Sequence, residues 1–107
     1  VSENTWSSSE QIIAKKAFEL AYHREIKALI QEVKAIAISL AEIEDVWSLH
    51  DFLSARRHQI DGKYDYNYAV LIFIFAQLLK EGWLLLDDLD GLERDKVSKI
   101  NALAKMS

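Results

Sequence analysis

The sequence predicts an all-α protein: one long N-terminal helix and three shorter ones, paired with a second copy as a helical homodimer. Three observations predict it. Proline is absent and only three glycines occur, so little punctuates the chain into strands and hairpins. Ala, Leu, Ile, Lys, Glu and Gln dominate, and all but Ile favour helix. From Tyr22 onward the apolar residues recur with a heptad rhythm. With 107 residues, half of them hydrophobic, the chain makes one packed domain. That domain is set at residues 9–107. Residues 1–8 read as a disordered polar tail, with Trp6 able to clip onto the body.

Ser8 followed three residues later by Gln11 reads as a capping box, so the first helix begins near Ser9. Tyr22, Ile26, Leu29, Val33, Ile36, Leu40 and Ile43 are then spaced 4, 3, 4, 3, 4, 3. Ile13 and Phe18 precede them slightly out of phase. A helix of about 35 residues spans roughly 50 Å. That is longer than one small globule needs, so its far end is expected to pack on a second chain through Val33, Ile36 and Leu40. Ile43-Glu44-Asp45 is the junction, its acids suited to the positive end of a new helix. This second helix is expected to run to Asp61 and stop at Gly62 as a left-handed C′ residue. Asp65 then serves as N-cap for residues 66–81. "YAVLIFIFA" also fits a buried strand, but no second strand candidate exists to pair with its backbone, so a central helix, apolar nearly all round, is expected. A turn at 84–88 leads to a last helix capped by Asp90 and Glu93, carrying Leu92, Lys96, Lys99, Ile100 and Leu103.

Composition excludes several functions. No cysteine is present, so disulfides, thiolate chemistry and Cys-ligated zinc are out. A net charge of −4 disfavours generic nucleic-acid binding. The longest apolar run, 68–76, is nine residues against the roughly 20 that span a bilayer. The first residues lack the basic and apolar regions of a secretory signal.

The stretch "VWSLHDFLSARRHQID", 46–61, concentrates the reactive side chains. On a helical wheel Val46, Leu49, Leu53 and Ile60, with Phe52 beside them, form an apolar face. Trp47, Asp51, Ser54 and His58 form the opposite stripe, with His50 and Arg57 between. Arg56 falls at the apolar flank, where its stem alone is buried. His50 and Ser54 are within reach of each other, but Asp51, next to His50 in sequence, points elsewhere. No oxyanion loop or nucleophile elbow accompanies them, so a hydrolase is not expected. His50 and His58 lie over two turns apart and His23 is on another helix, so no metal site is expected. A Trp among His, Asp and Arg on an open face is instead the composition of a protein-binding patch. Asp51 and Arg57, six apart, would find better partners on another chain. On the residues alone, a dimeric helical adaptor for some protein complex remains an alternative.

The strings "WSLHDFLSARRHQIDGKYD", "IFIFAQLLKEG" and "DKVSKINALA" resemble the fluorescence recovery proteins of cyanobacteria. The resemblance covers about residues 9–105 and is most specific over 45–82. It implies a small helical homodimer without enzymatic activity or cofactor. Its implied partner is the C-terminal domain of the light-activated red form of the orange carotenoid protein. Its implied action is to speed return to the orange form and release from the phycobilisome, so that antenna fluorescence recovers. It implies a cytoplasmic location, or a peripheral one on the cytoplasmic side of the thylakoid. Matching positions carry over partner contacts to Trp47, His50, Asp51 and Arg57, with Phe73 and Lys99 as further candidates. Val46 matches a dimer-interface position, where Trp47, Asp51 and Arg57 are also expected. Residues 1–8 match nothing in the family. Tyr66 and Tyr68 stand where relatives are more polar, and Trp83 where they are aliphatic.

Overall fold

Helix α1, Ser8–Ile38, starts because two groups cap each other: Glu10 N–H donates to Ser7 Oγ at 3.2 Å, and Ser7 N–H donates to Glu10 Oε1 at 3.1 Å. The box sits one residue before the expected Ser8–Gln11 pair. Glu10 offers a charged acceptor, whereas Gln11 uses its amide on the Trp6 carbonyl, 3.0 Å away. A computed structural model describes residues 5–106 of the chain. It places α2 at Ile43–Lys63, α3 at Leu71–Glu81, a short 3₁₀ turn at Leu86–Leu89 and α4 at Arg94–Ala104. The described residues are thus all-helical, as the composition predicts. Of the expected tail 1–8, residues 1–4 lie outside the described residues. Trp6 is buried, and Ser8 already belongs to α1.

α1 ends at Ile38, short of the expected Ile43. Ser39 Oγ donates to the Ile36 carbonyl at 2.8 Å. Asp45 then takes the N–H groups of Ala41 and Glu42, each at 3.0 Å, which starts α2 and holds the Asp45 carboxyl below its usual range. Leu40 and Ile43 therefore do not continue α1: Leu40 lies in the turn and Ile43 opens α2. α2 returns antiparallel along α1, as the Arg56–Glu32 and Lys63–Glu25 ion pairs require. Gly62 is not its stop. The helix runs through Gly62 to Lys63, and only Gly82 and Gly91 have positive φ among the described residues.

Asp65 does not cap α3. Residues 64–68 stay extended because Tyr64, Tyr66 and Tyr68 lay their rings along the body. Tyr64 and Tyr66 stand edge-on to Phe18 of α1, and Tyr68 packs against Trp6. Asn67 Oδ1 then accepts from Ala69 N–H in a turn that delivers the chain to Leu71. α3 ends in a left-handed Gly82 (φ 87°), with Trp83 N–H on the Leu78 carbonyl and Gly82 N–H on that of Leu79. It is not apolar all round in its packing, since Phe73 is 54% exposed. At the last helix Glu93 holds the N-cap position, while Asp90 closes the 3₁₀ turn instead of capping α4.

The core lies at one end. Ala14, Ala17 and Ala21 give α1 a narrow face, against which Leu71, Phe75, Leu78, Leu84, Leu89 and Ile100 are almost wholly buried. Each such large side chain contributes about 1.5–3 kcal/mol of hydrophobic burial. The other end is a two-helix arm, the far half of α1 with α2. Across residues 26–59 no side chain is buried; Ile60 is the first. The molecule is accordingly elongated, 57 × 22 × 19 Å. Head and arm meet where α2 ends.

Candidate functional site

The helical period turns Asp45, Leu49, Phe52, Arg56, Ile60 and Lys63 of α2 toward α1, and these, with Leu53 at their flank, are its covered positions. The opposite side is open water. Trp47 is 58% exposed and Val46 40%, so Val46 stands at the edge of the arm and not within it. Ser54 and His58 continue the exposed stripe. His50, Leu53, Ser54, Arg57, His58 and Asp61 line a shallow groove of about 540 Å³ along one edge of α2.

Two contacts organise that edge. His50 Nδ1 lies 3.3 Å from Asp51 Oδ1, which corrects the expectation that Asp51 points away from its neighbour. Both side chains reach outward far enough for their tips to converge although their Cα–Cβ bonds diverge. Arg57 Nε lies 3.6 Å from Asp61 Oδ2, one turn on, with the Arg57 side chain 85% exposed. Most of the guanidinium fork is therefore available to a planar carboxylate on another molecule. A His–Asp pair standing in water lacks the dry, preorganised donors that acyl-transfer chemistry uses. Among the described residues no group of three His, Asp or Glu is arranged to hold a metal ion. No described helix is long and apolar enough to cross a membrane.

The remaining expected residues lie apart. Phe73 lines a second groove, about 580 Å³, with Gln59, Gly62, Lys63, Val70, Ile74, Gln77 and Glu81. Gln59 and Gly62 are roughly 140–160° round α2 from Arg57. Phe73 and Arg57 thus flank α2 from opposite sides. Lys99 is half-buried on α4. Val33 is half-buried along the arm, and Ile36 and Leu40 border an apolar notch at its tip with Leu49 and Phe52.

Two ion clusters, one buried and one partly buried, escaped the sequence reading. In the head, Lys96 Nζ donates to Glu10 Oε1 at 2.9 Å and to the Thr5 carbonyl at 2.6 Å, and stands 4.8 Å over the Trp6 ring. At the junction, Lys63 Nζ lies 2.7 Å from Glu25 Oε1 and 2.6 Å from Glu81 Oε1. Tyr64 donates to the same Glu25 oxygen at 2.7 Å. Burial, with Glu25 accepting its proton, pushes the Tyr64 phenol far above its ordinary range. Burial raises the Glu81 carboxyl, but donation from Lys63 and Gln77 outweighs it and the net shift is downward. Partners 38 and 86 residues away leave no local signal.

Residues 6–104 match the family described as photoprotection regulator fluorescence recovery protein. The chain is 51% identical over 104 residues to the fluorescence recovery protein of Synechocystis sp. PCC 6803, covering 97% of this chain and 95% of that one. The solved structure of the Fremyella diplosiphon fluorescence recovery protein superposes with a TM-score of 0.92 at 59% identity, covering 95% of this chain and all of that one. The Synechocystis structure gives 0.91 at 51%, with the same coverage.

Proposed function

The chain belongs to the family of fluorescence recovery proteins, regulators of photoprotection, and from that premise we propose that it binds the light-activated red form of the orange carotenoid protein and returns it to the orange form. The contact is with the client's C-terminal domain. Release of the client from the phycobilisome follows, so contact with the antenna is indirect. The carotenoid belongs to the client, and this chain needs no cofactor and makes no covalent change. It acts in the cytoplasm or at the cytoplasmic face of the thylakoid.

The observation that carries this reading is the open α2 stripe. Trp47 supplies an apolar anchor, and Arg57 an exposed fork held only by a long contact to Asp61. Such a surface accelerates a conformational change when it holds the domain-closing state better than the separated one. A binder that held only the separated state would trap it. The test is to mix the purified chain with photoactivated orange carotenoid protein and follow the absorbance return in the dark. Acceleration is expected; none would leave a helical adaptor as the better description.

The arm supports a homodimer. Half-buried Val33, Ile36 and Leu40 and exposed Val46 are the residues this reading assigns to the seam, on an arm with no buried side chain across residues 26–59. A second arm laid on it would give a four-helix bundle. Light scattering should give twice the 12.3 kDa chain mass. Val46→Glu places a charge on that seam without touching the packing of α1 on α2. It should weaken dimerisation by ~30-fold or more, about 2 kcal/mol. A Val46→Glu protein that stays dimeric at low micromolar concentration would remove Val46 from the interface.

A further inference from the structure

α2 carries the proposed client contacts on both of its edges. Arg57 and His50 stand on one, and the Phe73 groove opens against the other. One client surface can reach both only if α2 is held at a fixed angle over α3. The end of α2 is the place where that angle is set. Lys63 is its last residue, with a side chain only 15% exposed, and its ammonium bridges Glu25 of α1 and Glu81 of α3. Each carboxylate is itself fixed: Glu25 by the Tyr64 hydroxyl, Glu81 by the Gln77 amide. Lys63 and Glu81 also form a wall of the Phe73 groove. The Arg56–Glu32 pair, at 3.4 Å, ties α2 to α1 but not to α3.

We infer that Lys63 is a positioning residue for client binding: by pinning the end of α2 to α1 and α3 together, it presents the Arg57 edge and the Phe73 groove to one client surface at once. This rests on the client-binding reading above. Two contacts on one stiff frame engage as linked sites, the second at an effective concentration that falls as the frame loosens. The role assigned to Lys63 is geometric, through its two ion pairs, although its stem also borders the Phe73 groove.

The chain has no cysteine, so spin labels at Ser54→Cys on α2 and Ser98→Cys on α4 report the joint alone when labelled chains are diluted into unlabelled ones. The distance distribution should broaden in Lys63→Met and Glu81→Ala and narrow again in Lys63→Arg. Glu81→Ala leaves the Lys63–Glu25 pair intact and takes a carboxylate from the negative end of α3, so it folds even where Lys63→Met does not. An unchanged width in Glu81→Ala overturns the pinning, whatever the client does. In the recovery assay Glu81→Ala should slow the reaction about 10-fold, but less than about 2-fold in a Phe73→Ala background, where the second contact is already gone. Equal slowing in both backgrounds makes the joint merely structural and overturns the proposal. Phe73→Ala without effect, with label distances behaving as expected, overturns the reading of Phe73 and the positioning role with it.

Discussion

Arg57→Leu should fold as the parent does and lose most of its recovery activity. The side chain is 85% exposed, and its one intrachain ion pair, to Asp61 at 3.6 Å, is an i,i+4 contact in water. Such pairs contribute only about 0.3–0.5 kcal/mol, so the melting temperature should stay within about 4 °C. A binding hot spot behaves differently. Truncating an Arg that meets a client carboxylate typically costs about 2 kcal/mol or more, roughly 30-fold in affinity. Recovery of the photoactivated client, measured at limiting concentrations of the regulator, should slow by that order. Arg57→Lys should fall between, because an ammonium keeps the charge and loses the planar fork. Wild-type kinetics from Arg57→Leu would remove Arg57 from the site.

Lys96→Met should act in the opposite sense, costing stability first. Lys96 is 3% exposed, and its ammonium serves Glu10, the Thr5 carbonyl and the Trp6 ring. Without it the buried Glu10 carboxylate keeps only the N–H groups of Ser7 and Glu93. Breaking a buried pair from one side costs about 3–5 kcal/mol, or at least ~12 °C of melting temperature at this chain length. Adding Glu10→Leu should return a substantial part, since the orphaned charge is then gone. The same cluster sets an acid limit. Burial raises the Glu10 carboxyl, but the Glu93 N–H, Lys96 and the Ser7 N–H outweigh it and hold it at about 2, against 4.5 unperturbed. A depressed carboxylate stabilises the fold above its unfolded pKa and loses that contribution as protons bind the folded form. Wild-type stability should therefore decline from about pH 4.5 toward pH 2, and Glu10→Gln should flatten that slope. Thermal melts across that range check both points. A Lys96→Met loss under 1 kcal/mol would mean that the pair is not holding the head together.

What the sequence made legible was whatever repeats locally. The helical class followed from composition. Gly82 ended α3 because a left-handed residue there lets Trp83 and Gly82 close on Leu78 and Leu79, all within six residues. The exposed side of α2 followed from its period. Legibility failed wherever a distant partner outvoted the local signal. Gly62 looks like a stop, yet Lys63 carries the helix one residue further to meet Glu25, 38 positions earlier. Asp65 looks like a cap, yet the tyrosines around it are drawn onto Phe18 and Trp6. Ser39 and Asp45 broke a heptad run that hydrophobic spacing alone carries to Ile43. At the candidate site the wheel located Trp47, Asp51, Ser54 and His58 on the open side and Arg57 between the two faces, where the structure leaves it 85% exposed. It had no means of showing that Phe73 lies across α2 from Arg57, because that depends on how the chain re-enters the head after Lys63.

The division into a head with the core and an arm without one also orders the birth of the molecule. The ribosome delivers α1 and α2 first, a hairpin of sequence-local contacts with no buried side chain across residues 26–59. The head closes only when Lys96 arrives to meet Glu10, 86 residues upstream. Long-range closure of this kind is the slow step of folding, and here it waits until α4 has been made. Until then the half-buried apolar residues of the arm, Val33, Ile36 and Leu40, stand without the head beside them. If the proposed homodimer forms through the arm, neighbouring ribosomes on one message would supply the second arm before either head exists, and pairing would precede completion of the fold.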